Sequence, residues 1–223
     1  MTDVYFVRHG ETDLNRQHVV QGHIDTHGLN DEGRGQAWAL VKLVIDKGGL
    51  KADAVLTSPL RRARETADIL CQHFGVAPKT DDRLKEMNFG RCEGMTVPAV
   101  NGMVFTPPLI FKNPAGGDVT VLDGQALRRY HASTDPMYDN VAHPGGETKA
   151  EARRRVQGAV TDYLNAHPDI QTLWVVSHGA VIRFLASDID EKDRFSGAVQ
   201  NAGVLHFTYT PGENSRLIYR GAL

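Results

Sequence analysis

Two apolar segments that lie far apart in the chain each run directly into a His-Gly pair. They read VYFVRHG at 4–10 and LWVVSHG at 173–179. Short segments rich in β-branched and aromatic residues are typical of buried strands. In an open α/β sheet, ligands bind beyond the carboxyl ends of the strands. We therefore expect His9 and His178 to point into one crevice, where the following glycines let the backbone approach a ligand closely.

Helical patterns separate these strands from further predicted strands. Asn30 is a suitable N-cap for a helix that ends at Gly48-Gly49, and Pro59 is expected at the first position of the helix SPLRRARETADILCQHF. The other predicted elements are a strand at 54–57, a helix at about 147–165, a helix at 179–186, and strands at 203–210 and 216–220 joined by a PGEN turn. Strands that alternate with helices predict an α/β fold, here a three-layer α/β/α sandwich with a mostly parallel central sheet.

The segment at about 95–142 interrupts this alternation. It is rich in proline and glycine and has no clear helix or strand periodicity. We interpret it as a cap-like insertion over the predicted active site. A length of 223 residues suits one domain, so we expect residues 1–223 to form a single domain that includes the insertion.

Charge and cysteine content argue against several classes of protein. The net charge of -2 gives no overall attraction to nucleic acid or to an anionic membrane. No apolar run approaches the roughly 20 residues that span a bilayer. The chain starts without the pattern of a secretory signal and has only two cysteines, Cys71 and Cys92, so we expect a cytoplasmic protein with free thiols.

Three arginines crowd the start of one predicted helix: Arg61, Arg62 and Arg64. Positive charge at a helix N-terminus opposes the helix dipole. Glu65 lies four residues after Arg61 and can pair with it, but Arg62 has no acid of its own at that spacing. Either an anion bound at the helix N-terminus or a solvated basic face would account for Arg62.

Six ordered motifs make the chain resemble a known family. They are RHGETDLN, QGHID followed by LNDEG, TSPLRRARETA, LKEMNFGRCEG, PGGET and VVSHG. In this order they resemble the motifs of the histidine phosphatase superfamily, which includes cofactor-dependent phosphoglycerate mutases and many small-molecule phosphatases. The resemblance extends from residue 4 to about residue 185 and leaves out most of the insertion.

The resemblance implies roles in phosphoryl transfer for five residues. His9 would be the nucleophile that forms a phosphohistidine, and Glu86 would be the general acid that protonates the leaving group. Arg8, Arg62 and His178 match the family's phosphate pocket. The chemistry agrees, because imidazole attacks only when neutral and nearby cations lower its pKa. Guanidinium groups, in turn, bind phosphate oxygens two at a time.

Three further residues match positions that contact phosphate oxygens in the family: Asn15, Gln21 and Gly179. The scheme requires no metal ion and no cofactor. Its expected partner is a small-molecule phosphate ester, with no part for nucleic acid or membrane, and assembly into a homo-oligomer is left open.

Other polar residues are expected to take no part in the chemistry. Glu11 and Glu147 belong to the motifs, but their expected roles are support and capping. Cys92 is expected to be an ordinary thiol, since no histidine lies next to it in the sequence. The loop histidines are expected to be solvated: His18, His23 and His27.

Hydrolysis of a phosphomonoester is the favoured function. In the mutases, RHGE is followed by Trp-Asn and a Gly-Trp dipeptide occurs nearby, whereas this chain has Leu-Asn at 14–15 and Gly-His at 22–23. A phosphoglycerate mutase is the alternative, and Arg-Arg at 128–129 is a pair of the type that clamps its substrate. A scaffold or binding module with little turnover is a third possibility, although the nucleophile, the arginines and the acid are all present.

Overall fold

A computed structural model describes residues 1–97, 109–112, 118–121, 139–187, 197–211 and 216–223. Its strands are β1 (Thr2–Arg8), β2 (Ala54–Thr57), β3 (Pro78–Thr80), β4 (Leu109–Lys112), β5 (Asp118–Val121), β6 (Val141–Ala142), β7 (Thr172–Ser177), β8 (Val204–Thr210) and β9 (Arg216–Ala222). Its helices are α1 (Asp13–Arg16), α2 (Asp31–Asp46), α3 (Arg61–Phe74), α4 (Lys149–Ala166) and α5 (Gly179–Ser187). Short 3-10 turns occupy Asp82–Leu84 and Gly90–Cys92.

Six of the strands form one sheet, in the order β3-β2-β7-β1-β8-β9. The pairs β3·β2, β2·β7 and β7·β1 are parallel, whereas β8 is antiparallel to β1 and β9 is antiparallel to β8. The sheet is therefore mixed and mostly parallel, which confirms the predicted α/β fold.

The two faces of this sheet carry two separate hydrophobic clusters. Alternate residues of a strand point to opposite faces, and in β1 Phe6 joins one cluster while Val7 joins the other. Phe6 shares its cluster with Val156 of α4 and Ile182 of α5, and Val7 shares its cluster with Leu70 of α3 and with residues of α2. Helices thus cover both faces, in the three layers that the alternation of strands and helices predicted.

The helix starts follow local capping rules, with one correction. Asn30 caps α2 as predicted, since its side chain accepts a hydrogen bond from the Gly33 N–H at 2.8 Å. Pro59 does not occupy the first position of α3, because the helix begins two residues later at Arg61. The backbone of Leu60 is still extended, and its N–H donates to the Ser58 hydroxyl at 3.3 Å.

Part of the insertion is more regular than the sequence pattern indicated. β4 lies between β5 and β6 in a three-stranded antiparallel sheet, and all three strands fall within 95–142, where we predicted none. The short elements β3 and α1 were also missed, because three or four residues are too few to show a periodicity. The position of the insertion over the active site stays a prediction. The PGEN turn and Arg-Arg at 128–129 lie largely or wholly outside the described residues.

Within the described part of the chain, no helix combines the length and the apolar character needed to cross a membrane.

Candidate active site

The two histidines of the His-Gly pairs follow the carboxyl ends of adjacent parallel strands. Arg8, the last residue of β1, pairs with Ser177, the last residue of β7, so His9 and His178 leave the sheet side by side. Their ring centroids are 5.2 Å apart, and their planes meet at 60°. His9 is 3% exposed and His178 is fully buried. The register of one strand pair therefore brings together residues that are 169 positions apart in the chain.

The ring of His9 is held in one tautomer by its hydrogen bonds. Its Nδ1 lies 2.7 Å from the Gly10 carbonyl oxygen, which can only accept, so Nδ1 carries the proton. Nε2 is then unprotonated, and Arg62 Nε donates to its lone pair at 3.3 Å. Burial, followed by the charges of Arg62 and Arg8, holds the pKa of His9 well below its usual value of 6.5. His9 is thus a neutral imidazole at neutral pH, as a nucleophile must be.

Arg62 is buried beside His9, at 1% exposure. Its Nη1 donates to the Ile24 carbonyl and its Nη2 to the Gly22 carbonyl, both at 2.8 Å. Burial lowers its pKa to about 10, which still leaves the guanidinium charged at neutral pH. The interpretation of Arg62 as part of a solvated basic face is therefore wrong. That interpretation is correct for Arg61, whose exposed side chain forms an ion pair with Glu65 at 2.6 Å.

Arg8 presents a second guanidinium at the same place. Its Nη1 donates to the Val199 carbonyl at 2.6 Å, and its buried Nε has no hydrogen-bond partner among the described residues. The Nε atom lies close to Gly179, where an added Cβ would be only 3.1 Å from it. A buried N–H group that makes no hydrogen bond is energetically unfavourable. Arg8 is therefore well placed to donate a hydrogen bond to a ligand.

The glycines after the two histidines have packing roles that the sequence did not reveal. We attributed both to close approach of a ligand. A Cβ on Gly10 would lie 2.4 Å from the carbonyl oxygen of Gly33 in α2, a contact that real Cβ atoms do not make. Gly10 is therefore required by the close approach of the segment after β1 to α2, whereas Gly179 lies tightly against the side chain of Arg8.

His178 is oriented by a serine from a third strand end. Its Nε2 is 2.8 Å from the Ser58 hydroxyl, which follows β2, and its buried Nδ1 has no partner in the described part of the chain. Burial is the largest cause that holds its pKa well below 6.5, followed by the charge of Arg62. Ser58 lies in a predicted motif, but nothing in the sequence links it to His178.

Glu86 places its carboxylate at the start of α5. Its Oε2 accepts from the Ala180 N–H at 3.1 Å, and its Oε1 accepts from the Val181 N–H at 3.2 Å and the Met87 N–H at 2.8 Å. Three backbone N–H groups thus orient the carboxyl group of Glu86, which lies close enough to Arg8 and Arg62 to act on both electrostatically.

A cavity of about 370 Å³ opens onto these groups. Six of the eight predicted site residues line it: Arg8, His9, Asn15, Gln21, Arg62 and Glu86. His178 and Gly179 do not. His178 lies against the His9 ring, and Gly179 lines a neighbouring groove of about 830 Å³ that also includes Arg8 and Glu86.

Asn15 and Gln21 are tied to each other through Thr12. The Thr12 hydroxyl donates to Gln21 Oε1 at 3.0 Å and accepts from the Asn15 N–H at 3.2 Å. The Thr12 backbone N–H also donates to Asn15 Oδ1 at 3.2 Å, so one buried residue positions both amides on the cavity wall.

The surroundings of two nearby polar residues differ from those expected from the sequence. Cys92 does have a histidine neighbour, since its Sγ is 3.2 Å from Nδ1 of His143, and both residues line the cavity. Burial raises the pKa of Cys92 to about 11 and lowers the pKa of His143 to about 4, so both are neutral at neutral pH, and Cys92 agrees with the predicted ordinary thiol. His23 is not a solvated loop residue, because its Nε2 donates to the Glu86 carbonyl at 2.8 Å. No local sequence signal could have shown either contact.

Comparison with known proteins decides the family. The model of the histidine phosphatase superfamily (branch 1) matches residues 4–114 and 117–219. The chain belongs to this superfamily. It is 31% identical over 193 residues to a protein of Bacillus subtilis named "Uncharacterized phosphatase PhoE", covering 86% of this chain and 80% of that protein. It is 29% identical over 189 residues to "Probable phosphoglycerate mutase GpmB" of Erwinia tasmaniensis, covering 85% of this chain and 75% of that one.

A solved structure has the same fold. The mycobacterial glucosyl-3-phosphoglycerate phosphatase, determined as a complex with VO3, superimposes with a TM-score of 0.73 at 23% identity, over 99% of this chain and 98% of that one. Membership of the histidine phosphatase superfamily makes this chain an enzyme of the histidine-type phosphatase class, which also contains phosphoglycerate mutases.

The buried neutral histidines predict that the protein loses stability in mild acid. His9, His143 and His178 have pKa values below 6.5 when folded, whereas an unfolded chain returns them to about 6.5. Below that pH the unfolded state binds more protons. The free energy of unfolding should therefore fall as the pH drops from about 6.5 towards 4, by up to about 1.4 kcal/mol per pH unit for each histidine.

Urea denaturation at pH 7, 6 and 5 measures this slope. In the variant His143→Asn, one of the three contributions is absent, so the slope below pH 6.5 should be shallower than in the parent protein, whatever the loss of stability at pH 7. Equal slopes in the two proteins would show that His143 is not buried in its neutral form.

Proposed function

We propose that the protein hydrolyses a small phosphomonoester in two steps through a phosphohistidine on His9. The observation that carries this proposal is that His9 lines the cavity with its proton fixed on Nδ1 by the bond to the Gly10 carbonyl, which leaves Nε2 unprotonated. An imidazole in this tautomer can attack phosphorus without first losing a proton. The guanidinium groups of Arg8 and Arg62 stand beside it to receive the phosphoryl oxygens.

In the first step, the Nε2 lone pair of His9 forms a bond to phosphorus while the bond to the ester oxygen breaks. Charge spreads over the three equatorial oxygens, to which Arg8 and Arg62 can donate hydrogen bonds. The departing oxygen takes a proton from Glu86 in its protonated form, so the alcohol leaves as a neutral molecule. His178, packed against the His9 ring, supports the ring from the side away from the cavity.

In the second step, water attacks the phosphohistidine and transfers a proton to the Glu86 carboxylate. The N–P bond breaks, inorganic phosphate leaves, and His9 returns to its neutral tautomer. Asn15, Gln21 and the Gly179 N–H are proposed as further donors to phosphate oxygens. The proposed mechanism uses no metal ion and no cofactor.

The cavity lining supports hydrolysis over mutase action. Among the described residues that line it, the charged cations are Arg8 and Arg62, and both lie against His9. The lining also contains Phe89, Cys92 and the neutral His143. The described part of the lining therefore offers no third charged cation to pair with the carboxylate of a phosphoglycerate, and an unpaired buried charge is unfavourable.

Removing the nucleophile should abolish turnover. We expect His9→Ala to lower phosphate release from 4-nitrophenyl phosphate by a factor of at least about 10³, because the variant lacks the imidazole that forms the proposed covalent intermediate. Acid-labile, base-stable label from a ³²P ester should appear on the parent protein and be absent from the variant. His167→Ala, at an exposed histidine, is the matched control and should retain both properties. Labelled His9→Ala would disprove the assignment.

Removing the acid should slow substrates according to their leaving groups. Glu86→Gln cannot donate a proton, so we expect kcat/KM for an alkyl phosphate such as butyl phosphate to fall by roughly 10² to 10⁴. The loss for 4-nitrophenyl phosphate should be several-fold at most, since that leaving group is stable as an anion. Equal losses on the two substrates would remove Glu86 from this role.

The fate of the phosphoryl group separates the three candidate functions. We expect multiple turnovers of phosphate release from neutral phosphomonoesters, measured with a chelator present. Transfer between 3-phosphoglycerate and its bisphosphate faster than phosphate release would identify a mutase instead. A single burst of label without steady-state release would favour a binding module.

A further inference from the structure

Arg155, in the middle of α4, is bonded to the backbone of the loop that carries Glu86. Its Nη1 donates to the carbonyls of Arg83 at 2.6 Å and Lys85 at 2.7 Å, and its Nη2 donates to the carbonyl of Glu86 at 2.8 Å. Three carbonyls of one short segment therefore converge on a single guanidinium. The side chain of Arg155 does not line the cavity.

Glu147 holds Arg155 in this position. Arg155 Nε donates to Glu147 Oε2 at 2.9 Å, and Nη2 donates to Oε1 at 2.5 Å, so the pair is bidentate. Glu147 also binds the segment after Glu86, since its Oε1 accepts from the Asn88 N–H at 2.8 Å and its own N–H donates to the Asn88 carbonyl at 2.9 Å. The ion pair of Arg155 and Glu147 therefore forms hydrogen bonds with the loop backbone both before and after Glu86.

A lysine could not replace this arginine. A guanidinium has five N–H groups in a rigid fork, and in Arg155 each of the five has an acceptor among the described residues. An ammonium group has three donors on one nitrogen and cannot span three carbonyls and both oxygens of a carboxylate.

The position of the Glu86 backbone decides where its carboxyl group can reach. The Glu86 carbonyl accepts from Arg155 and also from His23 Nε2 at 2.8 Å, while its carboxylate is aimed by the N–H groups of Ala180 and Val181. General acid catalysis requires the acid within hydrogen-bond reach of the leaving oxygen. A displacement of about 1 Å, even from a change outside the site, can cost roughly 100-fold in rate.

We propose that Arg155 is a positioning residue for Glu86. By binding the three carbonyls around Glu86, it fixes the distance between the carboxyl group and the leaving oxygen of the substrate. The inference rests on the proposed function, because it assumes that Glu86 is the general acid.

The two possible roles of Arg155, positioning Glu86 and stabilising the fold, differ in how the loss of activity depends on the leaving group of the substrate. Arg155→Lys keeps a cation beside Glu147 but loses the fork. We expect it to lower kcat/KM for butyl phosphate on the order of 10-fold to 100-fold, and for 4-nitrophenyl phosphate less than about threefold, since only the alkyl ester needs the acid. Arg154→Lys, at the exposed neighbouring arginine, is the matched control and should change neither value.

A double variant tests whether Arg155 acts through Glu86. In the background of Glu86→Gln, the substitution Arg155→Lys should cause no further selective loss on butyl phosphate, because no acid is left to position. Should Arg155→Lys not fold, as judged from its thermal unfolding, Arg155→Gln keeps a donor at the same place and serves in both comparisons.

The outcomes distinguish the two proposals. If Glu86→Gln discriminates between the substrates but Arg155→Lys slows both equally or neither, Arg155 is not a positioning residue and the proposed function stands. If Glu86→Gln itself slows both substrates equally, the acid assignment fails and this inference fails with it.

Discussion

The contact between Arg62 Nε and the lone pair of His9 Nε2, at 3.3 Å, is the interaction on which the site depends. A guanidinium can donate to an imidazole only while that imidazole is neutral, and burial beside two cations keeps His9 neutral. The arrangement requires Arg62 to stay in place without a carboxylate partner that would cancel its charge. The carbonyls of Gly22 and Ile24 meet that requirement, since they bind the guanidinium as dipoles and leave its positive charge available to an anion.

The same use of backbone dipoles extends through the surroundings of the site. Arg8 is bound by the Val199 carbonyl, and the carboxylate of Glu86 is bound by N–H groups at the start of α5. No ion pair within 4 Å joins Arg8 or Arg62 to an acid in the described part of the chain. The ion pair of Arg155 and Glu147 lies outside the cavity, where it fixes the backbone. The charged groups that would act on a substrate are therefore bound by backbone dipoles. The ion pair of Arg155 and Glu147 instead fixes the backbone outside the cavity.

The sequence predicted those elements whose signal is local. The strands around His9 and His178 are runs of apolar residues, and α2 has both a cap at Asn30 and a clear apolar stripe, so each was placed correctly. The prediction was wrong at Pro59, because the backbone of Leu60 is still extended and its N–H donates to the hydroxyl of Ser58. It also missed β3 and the strands of the insertion, because such short segments show no periodicity and form only when a neighbouring strand supplies their hydrogen bonds.

The sequence by itself determined which chemical groups stand at the ends of the strands. The residues that follow a strand lie at the edge of the sheet whatever the order of the strands. Only the tertiary structure decided which groups meet. His178 reaches Ser58 across 120 residues, Arg155 reaches the carbonyl of Glu86 across 69, and Cys92 meets His143 across 51. These contacts depend on how strands are ordered and how loops pack between them. That order is set by the whole hydrophobic core and leaves no trace in the residues next to each contact.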